Sequence, residues 1–185
     1  MRRAFCSLAV LALAVGVARA EDIDNPEFAS WAKHKKGTSV TMKTVTSTAG
    51  MNIEILATTT LLEVGADKLT VETTSVTKLN GMEFKAPGAK REIAKTVSVP
   101  AGTPKIDPKA KPPGTLEDGT ETVKVGGTEV KAKWFKAKVE VAGNKTESKT
   151  WMSDDVPGLM VKMEATTTGA ATSSVKMELI EFKKP

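Results

Sequence analysis

Leu159-Met160-Val161-Lys162-Met163-Glu164-Ala165 carries an apolar side chain at every second position, starting from Leu159. A period of two is typical of a β-strand that packs one face and leaves the other face polar. Shorter runs with the same alternation flank this stretch, as at 40–42, 51–55, 69–71 and 175–179. Asn80-Gly81, Gly126-Gly127 and Gly143-Asn144 favour tight hairpin turns between the runs. The pattern predicts a mainly β chain with nine or ten short antiparallel strands in one meander.

Two local features qualify this all-β prediction. Asn25-Pro26 favours a helix start, and Phe28, Trp31 and Ala32 then fall on one helical face. Gly37 is the predicted end of this helix, after a lysine-rich last turn, and the helix is expected to cover the apolar face of the sheet. In the strand 130–141 the apolar phase switches between Trp134 and Phe135, which predicts either a bulge or cover on both faces.

Residues 100–119 interrupt the alternation, because they hold five of the nine prolines and few apolar residues. A loop of this length inside one domain is uncommon. Two interpretations stay open: a lid across the sheet, or an inert mobile insertion.

Residues 1–20 are typical of an export signal. Arg2 and Arg3 precede an apolar run at 8–17, and Ala18-Arg19-Ala20 forms a small-x-small cleavage pattern. The general secretory route and the twin-arginine route both stay open, and a buried N-terminal helix is the alternative to a signal. The expected location is periplasmic or secreted, with residues 21–185 forming a single β-rich domain.

The composition of residues 21–185 excludes several classes of function. Loss of three arginines with the leader lowers the formal net charge from +5 to +2, which argues against a nucleic-acid partner. The single cysteine, Cys6, lies in the leader, so no disulfide is expected. No second apolar run reaches membrane-spanning length, so no transmembrane segment is expected.

The search for catalytic residues ends without a candidate. His34 is the only histidine, stands among lysines and is expected to be solvated at the end of the helix. Asp154-Asp155 lies in a predicted turn, which explains these residues without catalysis. No phosphate loop or metal-ligand spacing occurs, so we expect no enzyme activity, no metal and no cofactor. The lysines of one strand, at 131, 133, 136 and 138, are interpreted as a solvated outer face.

The C-terminal part resembles a known family. Lys149-Thr150-Trp151-Met152-Ser153-Asp154-Asp155-Val156-Pro157 leads into the strand 159–164, a glycine-bearing turn and the strand 174–182. This arrangement resembles the ending of the periplasmic lipoprotein-carrier superfamily (LolA/LolB-like). The resemblance implies a half-open β-barrel closed by helices around a cavity for acyl chains. We carry over that shape and not the lipoprotein-transfer role, and no functional residue is transferred.

The hypothesis from sequence is an exported, non-enzymatic binding module whose curved sheet holds a lipid or another apolar ligand under the N-terminal helix. The abundance of methionine fits either an adaptable cavity lining or simple filling of the core. The alternative function is a structural or protein-interaction domain of the cell envelope with a filled core, and a hydrolase is the third candidate. The predicted apolar lining is Trp31, Met42, Ile53, Leu69, Phe84, Trp134, Met163 and Met177.

Overall fold

The computed structural model describes residues 20–100, 111–112, 114–169 and 171–185. The predicted export signal, apart from Ala20, and residues 101–110 of the proline-rich segment lie outside the described residues. The elements in chain order are β1 (Ala20–Asp24), α1 (Pro26–Trp31), β2 (Ser39–Thr48), β3 (Met51–Val64), β4 (Lys68–Leu79), β5 (Met82–Ala94), β6 (Thr96–Pro100), β7 (Thr115–Val125), β8 (Thr128–Val141), β9 (Asn144–Met152), β10 (Met160–Thr168) and β11 (Ser173–Lys183).

Nine of the strands form one antiparallel sheet in the order β5-β4-β3-β2-β11-β10-β9-β8-β7, and β1 pairs with β6 in a separate ribbon. The predicted mainly β, antiparallel fold with one short N-terminal helix is confirmed. Within the sheet, the hairpin series β2–β5 and the hairpin series β7–β11 join where β11 pairs with β2. The sheet is not a closed barrel, because β5 and β7 are its two outer strands.

The sheet curves strongly at its β7 end. β7 contacts β11, although three strands separate them in the sheet. At the β7–β8 turn, a Cβ atom built on Gly126 would lie 3.3 Å from the Ile180 carbonyl oxygen. This curvature agrees with the half-open shape expected from the sequence.

Helix α1 begins as predicted but ends earlier. The Asn25 side chain accepts a hydrogen bond of 3.0 Å from the Glu27 amide, and Pro26 occupies the first turn. The last helical residue is Trp31, so the prediction that Gly37 ends the helix was wrong. The reason is tertiary: the Gly37 amide donates to the Leu61 carbonyl at 2.8 Å, which ties this stretch to β3 instead of continuing the helix.

Two other boundaries differ from prediction and one turn agrees with it. Residues at both ends of the predicted loop 100–119 belong to strands, since Pro100 ends β6 and Thr115 begins β7. Residues 101–110 and 113 of that segment lie outside the described residues. The β8–β9 hairpin turns on Ala142-Gly143, with φ angles of 48° and 78°, and Asn144 already belongs to β9. At Asn80-Gly81 both residues have positive φ, as predicted for a two-residue hairpin.

The phase switch in β8 reflects cover on both faces, the second of the two interpretations. Neither strand that pairs with β8 shows a register shift at Trp134 or Phe135. Val130 and Ala132 are buried on one face, while Phe135 and Ala137 are buried on the opposite face. The contact of β7 with β11 encloses the side that carries Val130.

Candidate functional site

The main sheet has one face without charged side chains over most of its width. Residues that are paired across antiparallel strands share a face, so the register defines rows of neighbours. Two adjacent rows each cross eight strands, from β8 to β5, and span roughly 34 Å at the usual strand spacing. Their members are Phe135, Thr150, Met163, Met177, Thr44, Ile55, Thr77 and Phe84 in the first row, and Ala137, Ser148, Ala165, Val175, Thr46, Ile53, Leu79 and Met82 in the second. We call this surface the uncharged face.

The opposite surface, here the charged face, is different in kind. On this face, the row that lies one residue away from the first row on each strand contains one apolar residue, Val45, and eight charged residues. Its members are Glu117, Lys136, Lys149, Glu164, Lys176, Val45, Glu54, Lys78 and Glu83. Acidic and basic side chains pair across it, as in the contact of 2.7 Å between Lys43 and Glu54. This face therefore has the composition of a solvated surface, whereas the uncharged face has the composition of a packed one.

Helix α1 covers only one end of the uncharged face. Phe28 and Trp31 pack with a group of fully or nearly fully buried residues from the strands: Val40, Leu61, Leu69, Val71, Ile93 and Leu179. The helix contacts β4 and β5. Beyond this end, Phe135 and Ala137 on β8 are also buried, and the other members of the two rows are half-buried or exposed. Phe84 and Met82 on β5 are 53% and 57% exposed.

Two polar contacts hold the helix in this position. Arg91 lies on the same side of β5 as Ile93, and its guanidinium donates to both Glu27 carboxylate oxygens at 3.0 and 2.5 Å. The hydrogen bond to Glu27 raises the pKa of Arg91 further. On the other side, the buried Ser30 hydroxyl accepts a hydrogen bond of 3.0 Å from the Gly158 amide. Arg91 therefore brings a charge onto this face beside the helix.

The predicted lining residues do not all meet on one surface. Met42, Ile53, Leu69, Phe84, Met163 and Met177 share the uncharged face. Leu69 lies on β4 and is 1% exposed, and Trp31 is the last residue of α1 and is 3% exposed. Both belong to the buried core, so they do not offer free surface. Trp134 pairs with Trp151 and Gly119 on the opposite face, so its assignment to the same lining was wrong.

Trp134 instead belongs to a stacked group on the charged face. The Lys149 ammonium lies 4.3 Å from the ring centre of Trp134 and 4.4 Å from that of Trp151. The Trp151 indole donates to the Glu121 carboxylate, and Lys162 stands over the Trp151 ring at 4.7 Å. These contacts satisfy the polar edge of the Trp151 indole and place ammonium groups over the faces of both indole rings.

Four of the clefts formed by described residues have volumes of about 350 to 820 Å³. The widest, about 820 Å³, lies on the charged face and is lined by residues such as Glu54, Lys78 and Lys176. A cleft of about 350 Å³ borders Trp134, and one of about 380 Å³ borders His34. The fourth, also about 380 Å³, lies beside Phe135 at the β8 end of the uncharged face. Of the eight predicted lining residues, only Trp134 borders one of these four clefts.

Of the side chains considered for acid–base chemistry, His34 differs from the prediction. His34 is half-buried against Phe182, with ring centres 5.7 Å apart, so the prediction of a solvated histidine was wrong. Its Nε2 atom is buried without a hydrogen-bond partner in the described structure. Burial, followed by the charges of Lys184 and Lys33, lowers the pKa of His34. Asp154 and Asp155 occupy a turn, as predicted.

Neither a metal centre nor a membrane span is found in the part of the chain that the structure describes. No three side chains of His, Cys, Asp or Glu converge there to ligate an ion. Within the same residues, no helix has the length and apolar character needed to cross a bilayer.

The sequence analysis missed most of the residues that form this surface. Thr44, Ile55, Thr77 and Thr150 belong to the same row as Met163 and Met177, but none of these four was among the predicted lining residues. The alternation of each strand does indicate which of its residues share a face, because every second residue of a strand points to the same side. The register between neighbouring strands determines which of these residues lie side by side in a row, and the sequence alone does not give the register.

Comparison of the chain with protein-family models, with curated proteins and with solved structures gives no match. The site must therefore be interpreted from its own geometry and chemistry.

Proposed function

We propose that the protein is an exported, non-enzymatic binding module that holds a lipid or a similar extended apolar molecule on the uncharged face. The observation that carries this proposal is the contrast between two rows of the same eight strands. One row is without charge and the row behind it is almost entirely charged.

An uncharged sheet face normally packs against a second layer. Here the described cover, helix α1, reaches only the end at Leu61, Leu69 and Ile93. Large exposed apolar surfaces on a protein mark sites of interaction. A ligand that covered the remaining rows would gain about 1.5–3 kcal/mol for each large apolar side chain fully removed from water.

The shape of this surface favours an extended chain over a compact molecule. The rows run across strands for roughly 34 Å, and the flexible side chains of Met163 and Met177 lie near the middle. Methionine adapts to irregular partners, while the intervening threonines keep the surface shallow. The row begins at buried Phe135 and ends at exposed Phe84.

The alternative of an envelope interaction domain acting through a sheet edge has less support. β5 is an outer strand, and nearly all of its residues are exposed. However, it carries Pro87, Lys85 and Lys90, together with an irregular register opposite Thr73–Ser75. Proline, lysine and bulges are the features with which sheets discourage pairing at an edge.

The test is a comparison of lipid content between two single variants on neighbouring residues of β11. Met177→Glu places a charge on the uncharged face, and the matched control, Lys176→Glu, changes the charge on the opposite face. Each protein is purified from its native envelope, extracted with organic solvent and weighed by native mass spectrometry.

We expect lipid with the wild-type protein and with Lys176→Glu, and little or none with Met177→Glu. Circular dichroism checks that both variants are folded. Bare polypeptide in the wild-type spectrum, or equal lipid content in a folded Met177→Glu variant, contradicts the proposal.

A further inference from the structure

The cleft of about 380 Å³ at the β8 end of the uncharged face combines an apolar floor with charged sides. Phe135, the first residue of the uncharged row, and Leu159, at the end of the neighbouring turn, supply apolar surface. Lys131 and Lys133 lie on the same side of β8 as Phe135, four and two residues before it. Asp154 and Asp155 line the cleft from the turn.

The two lysines differ from the other lysines of their strand. Lys136 and Lys138 point to the charged face and form ion pairs with Glu117 and Glu147, at 3.2 and 2.8 Å. Lys131 and Lys133 are exposed and form no ion pair with any described residue. The interpretation of all four lysines as one solvated face was therefore wrong, because the odd step from 133 to 136 divides them between two faces.

Neither carboxylate forms an ion pair with a described residue, although Asp155 interacts electrostatically with His34, and their turn is firmly held. The Ser153 amide donates to the Leu159 carbonyl at 2.7 Å, and the Asp155 amide donates to the Ser153 hydroxyl at 3.3 Å. Val156, in the same turn, is fully buried. The cleft thus presents two cations on a strand and two anions on a fixed turn, at one end of a long uncharged surface.

We propose that this cleft binds the zwitterionic head group of a phospholipid whose acyl chain lies along the uncharged face. The phosphate would lie at Lys131 and Lys133, and the ammonium group would lie at Asp154 and Asp155. This inference rests on the proposed function and adds the head-group class and the direction of the chain. A head group with only negative charge leaves the two carboxylates beside a like charge, whereas a zwitterion pairs both sets.

The experiment compares three probes with acyl or alkyl chains of the same length. They are lysophosphatidylethanolamine, which is zwitterionic, lysophosphatidylglycerol, which is anionic, and a fatty alcohol, which has no charge. Each is titrated below its micelle concentration into lipid-stripped protein, and binding is followed by calorimetry. The variants are K131A/K133A and D154N/D155N, with K136A/K138A as the matched control on the other face of β8.

We expect wild-type protein and the control to bind lysophosphatidylethanolamine most tightly. K131A/K133A should bind it roughly tenfold more weakly and leave the affinity for the alcohol unchanged, since hydrogen bonds to charged groups are the strong ones. D154N/D155N should lose the preference for the zwitterion over the anionic probe.

The outcomes separate the two proposals. If the alcohol binds as tightly as lysophosphatidylethanolamine and K131A/K133A has no selective effect, the head-group site is refuted while the apolar site stands. If the anionic probe binds as tightly as the zwitterion in wild-type protein, the assignment to Asp154 and Asp155 is refuted. If none of the three probes binds, the proposed function itself is refuted.

Discussion

The end of the uncharged face under α1 and the open middle of that face should respond differently to the loss of a side chain. Leu61 lies under α1 with 0% exposure, whereas Met177 lies in the open middle of the face and is half-buried. Leu61→Ala removes a fully buried side chain and leaves a cavity, at a cost of about 2–5 kcal/mol in the free energy of unfolding. Met177→Ala removes a side chain with no described layer above it. Because Met177 is half-buried, about half of the transfer free energy of its side chain is lost, and no cavity forms. The free energy of unfolding should therefore fall by roughly 1 kcal/mol.

The measurements are urea unfolding and thermal unfolding of lipid-stripped protein, because a bound ligand would raise the apparent stability. At about 2–4 °C per kcal/mol for a domain of this size, Leu61→Ala should lower the melting temperature by roughly 4–20 °C and Met177→Ala by roughly 2–4 °C. Leu56→Ala, on the opposite face of β3, is the matched control for Leu61→Ala, since Leu56 is only half-buried.

Two results would refute this reasoning. A loss for Met177→Ala as large as that for Leu61→Ala means that Met177 is packed in solution and that the middle of the face is not available to a ligand. A loss for Leu61→Ala no larger than that for Leu56→Ala means that α1 does not cover the end of the face.

Three further predictions concern single contacts. Ser30→Ala should cost about 1–3 kcal/mol, because the Gly158 amide loses its acceptor, and faster hydrogen exchange at that amide would report it. Gly119→Ala should cost about 1–3 kcal/mol in urea unfolding, since a Cβ would lie 2.9 Å from the Trp134 ring, and the cost should largely vanish in a Trp134→Ala background. Burial lowers the pKa of His34 below its ordinary value of about 6.5, so the unfolded chain binds more protons as the pH falls through that value. The contribution of His34 to the free energy of unfolding should therefore be fully present above about pH 6.5 and should decrease as the pH falls below that value. The urea midpoint should fall with it, and His34→Gln should reduce this dependence of the midpoint on pH.

The local patterns in the chain predicted most of the secondary structure, although not every boundary. The alternation at 159–165 predicted β10, the cap at Asn25-Pro26 predicted the start of α1, and Asn80-Gly81 predicted a hairpin. These features depend on neighbours in sequence: the period of two, a side chain that bonds the next free amide, and residues that tolerate positive φ. The end of α1 was missed because it depends on Leu61, which is distant in sequence.

Which strands lie side by side, and which residues form the candidate site, came only from the tertiary structure. The alternation shows that Met177, Thr44 and Ile55 each have neighbours on the same side of their own strand. It does not show that β11 lies beside β2, and a register change of one residue would move each side chain to the other face. The same reason explains Trp134, which the sequence could not place on a face. Pairing between distant strands is a long-range property, set by the packing of the whole sheet and not by the local chain.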